Sequence, residues 1–75
     1  MHIEYGETAN AVYILLDPSK RNAINHTREA GPNVLIDYAN AEETQIVGIG
    51  IHDASNMMDI ESLKSITFEL IGKKQ

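Results

Sequence analysis

Ile46-Val47-Gly48-Ile49-Gly50-Ile51, preceded by Val34-Leu35-Ile36-Asp37-Tyr38 across a short polar interval, decides how this chain reads. Both runs are brief, rich in β-branched residues and bounded by turn formers, which is the pattern of strands. Gly48 and Gly50 lie two apart and share one face, while Val47, Ile49 and Ile51 fill the other. Paired glycines weaken a strand, so they make sense where another backbone or a side-chain layer comes close. A bulge or a strongly twisted strand would account for them equally well.

Working outward, residues 2–5 form a first strand, with Ile3 and Tyr5 opposed to His2 and Glu4. Gly6-Glu7-Thr8 makes a turn. Residues 10–16 are apolar on both faces, Val12, Ile14 and Leu16 against Tyr13 and Leu15, which predicts a central strand covered on each side. Asp17-Pro18-Ser19-Lys20 reads as a turn, with proline presetting φ. Residues 22–29 alternate Ile24, His26 and Arg28 against Asn25, Thr27 and Glu29, a polar pattern suited to an edge strand. Gly31-Pro32-Asn33 turns the chain into the strand 34–38, and a loop over 39–44 leads to the strand 45–52.

The tail carries two overlapping signals. Asp59 suits a helix cap, Glu61 a first turn, and Gly72 with Lys73 and Lys74 an end. Yet Ile66-Thr67-Phe68-Glu69-Leu70 alternates strictly and is rich in strand formers. The expectation is a short helix over 59–64 followed by a strand over 65–71. The fold class is therefore α+β: a small antiparallel sheet, a meander of about five strands, with a short C-terminal helical element.

Seventy-five residues make a single domain, 1–75, whose core is marginal. Chains this small usually add disulfides, a metal or a partner subunit. With no cysteine, neither a disulfide nor a thiolate site is available, and a homodimer is the simplest remaining support. The absence of cysteine fits a reducing cytosol, and the start Met1-His2-Ile3-Glu4 lacks a secretory pattern, so a cytoplasmic protein is expected. The apolar run from Ala11 to Leu16 is far shorter than the roughly 20 residues that span a bilayer, so no membrane partner is expected.

Net charge is −5, and the acids Glu29, Asp37, Glu42, Glu43, Asp53, Asp59 and Glu61 lie in a span without Lys or Arg. Such a span repels a phosphate backbone, which argues against nucleic acid as a partner. A basic protein suits the charge through electrostatic steering, although solubility alone would also account for it.

Chemistry is sparse. His2, His26 and His52 show no recognised metal spacing, and Gly48-x-Gly50 lacks the rest of a dinucleotide fingerprint. His52-Asp53 is the best local acid–base pair, yet no complete constellation accompanies it, and an ordinary strand-end pair is the better reading. No catalytic, metal-binding or cofactor-binding residue is assigned. Tyr13 and Asp37-Tyr38 read as structural, since a buried tyrosine anchors its hydroxyl on a nearby polar group. Met57-Met58 can cover an open sheet face or serve as an adaptable contact surface.

The order of these segments resembles the family numbered twenty-two eighty-three among domains of unknown function. The matching pieces are Ile3-x-Tyr5, Ala9-Asn10-Ala11-Val12-Tyr13-Ile14, Thr27-Arg28-Glu29, the strand ending Asp37-Tyr38, and Val47-Gly48-Ile49 through Ala54-Ser55. Gly50 departs from the pattern, standing where the family usually has an acid, and the loop 39–44 lacks the usual glycine-containing turn. The resemblance implies a small β-sheet protein, dimeric, without an established enzymatic role, of the kind found beside toxin genes or in phage genomes. The combined expectation is a non-enzymatic, antitoxin-like protein-binding module. A phage-encoded acidic inhibitor of a host nucleic-acid-binding or defence protein is the alternative, and a small-ligand binder at a dimer interface a third. Asp37, Glu42, Glu43, Asp53, Met57 and Met58 are the candidate partner-binding residues, and Gly48 with Gly50 the candidate self-association strip.

Overall fold

Asn10 and Asn33 turn the chain back on itself. Both take a left-handed φ, 50° and 66°, that asparagine tolerates better than most residues. Asn10 closes the hairpin between β1 (His2–Gly6) and β2 (Ala11–Leu15), and Asn33 the hairpin between β3 (His26–Gly31) and β4 (Val34–Tyr38). β5 (Ile46–His52) follows β4 and lies between it and β2, giving one antiparallel sheet in the order β1-β2-β5-β4-β3. The computed structural model describes residues 1–72 and bears out the α+β class. Strands β3, β4 and β5 run as a meander, to which the β1–β2 hairpin adds through β5.

The sheet order puts the two most apolar strands at the centre. β2 and β5 each pair on both sides, so their backbone groups are satisfied within the sheet. One face gathers Ile3, Tyr5, Val12, Ile14, Ile49, Ile51, Val34 and Ile36, fixed by the pairs Ile14↔Ile49, Ile36↔Ile49 and Val12↔Ile51. The opposite face carries Tyr13, Leu35 and Asp37 over Gly48 and Gly50. A bulge at Val47, between the pairs Asp37↔Gly48 and Tyr38↔Ile46, increases the local twist and leaves Val47 buried. The bulge thus falls beside the paired glycines of β5 and not at them.

Short helical pieces close the ends. Between β2 and β3 the chain forms a 3-10 helix, η1 (Pro18–Ala23), where a simple turn and then a strand over 22–29 are expected. The cause is local: the Asp17 carboxylate accepts from the Ser19 amide (3.1 Å) and hydroxyl (2.7 Å), and Pro18 is preset for a first helical turn. The edge strand consequently starts at His26 and runs two residues past Glu29, to Gly31.

After β5 come a single helical turn, α1 (Ala54–Met57), and a second 3-10 helix, η2 (Ile60–Ser65). Asp59 caps η2 as expected, accepting from the Glu61 amide and the Ser62 hydroxyl. The expected strand over 65–71 is not formed. Ser65 still belongs to η2, and residues 66–71 have no regular structure. Alternation sets which side a side chain faces, but a strand also needs a neighbour to pair with, and among the described residues this segment has none. Lys73 and Lys74, read as helix-end signals, lie outside the described residues.

The buried hydrophobic residues are few: Val12, Leu15, Tyr38, Val47 and Ala54. Covering is uneven. η2 roofs the β1 side of the isoleucine face, where Ile60, Leu63 and Lys64 meet Ile3 and Tyr5 around an open groove of ≈270 Å³. Ile14, Val34, Ile36, Ile49 and Ile51 are half-buried. No helix among the described residues is long and apolar enough to cross a membrane.

Candidate functional site

Gly48 and Gly50 make room for Tyr13. A Cβ placed on Gly48 would lie 2.6 Å from Tyr13 Cζ and 3.0 Å from the Ile14 carbonyl oxygen. At Gly50 the same atom would sit 3.7 Å from Tyr13 Cδ1. The tyrosine ring therefore lies on the glycine strip, and the space read from sequence as a self-association strip is filled, at Gly48, from within the chain. The close approach is real and its source is a side chain of the neighbouring strand.

Lying across β5, the Tyr13 hydroxyl donates to Asp37 Oδ2 on β4 at 2.6 Å. Thr27 on β3 donates to Asp37 Oδ1, so one carboxylate ties three strands together. Burial, then the Asp37 carboxylate, pushes the Tyr13 hydroxyl up to about 12. At the edge of the same face, the Arg21 guanidinium holds Glu4 at 2.7 Å and its carboxyl below the usual range, with His2 3.3 Å away. Glu4, Gly6, Ala11, Tyr13, Gly50 and His52 border an open depression of ≈340 Å³.

The loop after β4 folds back over the sheet. Asn40 Oδ1 accepts from the amides of Thr44 and Gln45, and Glu43 takes a left-handed φ of 61°. Glu43 thereby reaches β3, meeting His26 Nε2 at 2.8 Å and Arg28 Nε at 3.0 Å. The Tyr38 hydroxyl and then Glu43 push the Arg28 pKa further above its ordinary value. The His26 and Tyr38 rings stack at a tilt, with centroids 6.2 Å apart.

These bonds redistribute the residues read from sequence as one partner surface. Asp37 and Glu43 are engaged internally, and Glu42 stands exposed beside them. Asp53, Met57 and Met58 lie at the other end of β5, about 20 Å away at roughly 3.3 Å per strand residue. Asp53 takes a left-handed φ of 55° and accepts from the Asn56 amide group at 3.0 Å. His52 points to the depression on the tyrosine face, and its backbone amide donates to the Asn33 carbonyl. Among the described residues no three His, Asp or Glu side chains converge as a metal site. Met57 is exposed, and Met58, at the end of α1, is half-buried.

Two features went unread in the sequence. Asn10 clasps the start of α1: its carbonyl accepts from the Ala54 amide, its Oδ1 from the Ser55 amide, and its Nδ2 donates to Ser55 Oγ. The Asn-Ala and Ala-Ser pieces of the sequence pattern are thus two halves of one contact. The other feature is the exposed segment 66–71, in which Ile66, Phe68, Leu70 and Ile71 are 46%, 86%, 75% and 80% accessible. Its strand-like alternation was the signal that could have marked it as an unpaired edge.

A family described as "Protein of unknown function (DUF2283)" matches residues 2–55, which take in all five strands and the Asn10–Ser55 clasp, and the chain belongs to that family. No curated protein matches the chain. No solved structure matches it either.

Proposed function

We propose that this chain is a non-enzymatic protein-binding module, antitoxin-like in that it neutralises a cognate small protein, and that residues 66–71 are the part that docks. The observation carrying this reading is the accessibility of that segment: four large apolar side chains stand in solvent on six consecutive residues without regular structure. Contiguous apolar surface of this kind marks an interaction site. An extended peptide can add to the edge of a partner's sheet, with backbone bonds supplying affinity and alternate side chains filling pockets. Ile66, Phe68 and Leu70 would enter such pockets from one side.

The net charge of −5 adds steering toward a basic partner. Steering is a secondary role, because Asp37 and Glu43 spend their charge inside the fold.

Co-expression with the protein encoded beside this one tests the reading. The full chain should retain that protein on an affinity column. A chain ending at Ser65, and Phe68→Asp in the full chain, should each lose it. Retention by the chain ending at Ser65 would place the docking surface elsewhere, and failure of the full chain to retain it would remove the antitoxin-like reading.

A further inference from the structure

We infer that the free edge of β1 is a peptide-docking site whose occupant is the chain's own segment 66–71, which closes on it as a strap. β1 pairs only with β2, so its outer backbone N–H and C=O groups have no strand beside them. It is exposed along its length except at Ile3. The open groove of ≈270 Å³ runs next to it, with Ile3 and Tyr5 on one wall and Ile60, Leu63 and Lys64 on the other. An unpaired edge beside an apolar groove offers both things an extended peptide uses: backbone bonds, and pockets for alternate side chains.

The occupant is named by where the chain goes next. It leaves η2 at the rim of the groove, since Lys64 lines the groove and Ser65 ends the helix. It leaves already extended, with Ile66 at φ −67° and ψ 134°. The lengths match: at roughly 3.3 Å per residue, segment 66–71 covers ~20 Å and β1 ~17 Å. β3, the other edge of the sheet, lies four strand spacings away, roughly 19 Å, so a tail rising from η2 meets β1 first.

Alternation in the segment supplies the right faces. Laid beside β1, Ile66, Phe68 and Leu70 fall on the side of Ile3 and Tyr5, over the groove. Thr67 and Glu69 fall on the side of His2, Glu4 and the Arg21 guanidinium that Glu4 holds. The structure holds the strap open, with the segment in solvent. Closure pairs the β1 edge and takes Phe68 out of water in one step. Given the docking role proposed for the segment, on which the regulatory meaning of the strap rests, β1 and a partner's sheet compete for the same residues. A strap closed about nine-tenths of the time weakens capture of the partner about tenfold.

Phe68 is the chain's single phenylalanine, so a fluorine-labelled phenylalanine reports on the strap alone. In the full chain, without any partner, magnetic resonance should show contacts from this ring to the Ile3 and Leu63 methyl groups. Alternate amides of β1 should exchange with solvent about tenfold more slowly than in full-length Phe68→Asp, the ratio for a strap closed about nine-tenths of the time. Phe68 stands in solvent in the open form, so this substitution leaves the rest of the fold intact. Both signals should be unchanged on dilution. A ring without these contacts, or equal exchange in the two proteins, overturns the inference. Protection that fades on dilution overturns it too, since another copy's tail would then lie on β1. Partner retention is a separate readout. Where the neighbouring protein is retained, adding it should return the β1 amides to the Phe68→Asp rate, and protection that persists in the complex overturns the competition. A chain whose β1 edge is protected but which retains no protein loses the docking role and keeps the strap.

Discussion

Tyr13 and Asp37 sit on strands that do not touch each other, yet they share a 2.6 Å hydrogen bond, because β5 carries glycine where the tyrosine ring must cross it. The hydroxyl donates, the carboxylate accepts, and Thr27 completes the carboxylate from the far side. Three strands are held by side chains as well as by the backbone ladder.

Tyr13→Phe should therefore cost about 1.5–3 kcal/mol in a denaturant titration, the range of a hydrogen bond to a charged acceptor. It should also change the response to alkali. Folding raises the Tyr13 pKa from 10.0 to about 12, so the folded state holds this proton more tightly. That contribution is fully present below pH 10 and is lost as pH rises through about 12. Wild-type stability should fall across that window more steeply than that of Tyr13→Phe. Tyrosinate absorbance should show a last ionisation near 12 that is missing from the variant. Equal slopes for the two proteins would mean that the bond contributes nothing to folding.

The two glycines should respond unequally to alanine. At Gly48 a methyl group meets the Tyr13 ring and the Ile14 carbonyl, and the strand backbone cannot retreat. Gly48→Ala should destabilise by roughly 1–3 kcal/mol, the range of an overpacked site. At Gly50 the nearest atoms, at 3.7 and 4.0 Å, are in ordinary contact, and its φ is not left-handed. Gly50→Ala should be neutral or stabilise by about 0.4–1 kcal/mol through the unfolded chain. Adding Tyr13→Ala to Gly48→Ala should recover part of the loss, since the clash goes with the ring. Strictly additive effects would show that Tyr13 is not what Gly48 accommodates.

How much of this was legible follows from what each signal encodes. β-branched runs such as 46–51 announce strands, because side-chain shape and alternation are local properties. The partner of Tyr13 is not local: 24 residues separate it from Asp37, and only the order β2-β5-β4 brings them together. Each residue could be flagged and the need for a hydroxyl partner foreseen, but not the pair. Residues 66–71 show the reverse failure, where a correct local pattern lacked the edge that would make it a strand. The acids 42 and 43 show a third. Adjacent in sequence, they differ because the left-handed φ of Glu43 aims its side chain back at β3.

The clasp between Asn10 and Ser55 should rank substitutions by what each preserves. Asn10→Asp keeps the acceptor for the Ser55 amide and the Ser55 hydroxyl can donate to it, so the loss should be smallest. Asn10→Gly keeps the left-handed φ of 50° but removes all three side-chain bonds, the one accepted from the Tyr5 hydroxyl included. Asn10→Ala removes the bonds and adds the cost of that conformation for a residue with a Cβ, giving roughly 2–3 kcal/mol in total. Denaturant midpoints should follow the order Asp, Gly, Ala. If Gly and Ala coincide, backbone conformation is not part of what Asn10 supplies.

Glu42 and Glu43 offer the sharpest separation of charge that steers from charge that folds. Glu42→Lys changes an exposed loop side chain with no partner among the described residues, so the melting temperature should stay put. Glu43→Lys instead sets a third positive group beside Arg28 and, when protonated, His26, and the melting temperature should fall. Glu43→Gln removes the charge at nearly constant shape. Its deficit should shrink as salt is raised, because part-exposed ion pairs are screened over a Debye length of about 8 Å at physiological ionic strength. Association with a basic partner should respond differently: Glu42→Lys should slow it, and Glu43→Gln should barely change it once folding is accounted for, since that carboxylate is already matched. Equal effects of the two substitutions on stability would mean that the reach of Glu43 to β3 does not hold the loop.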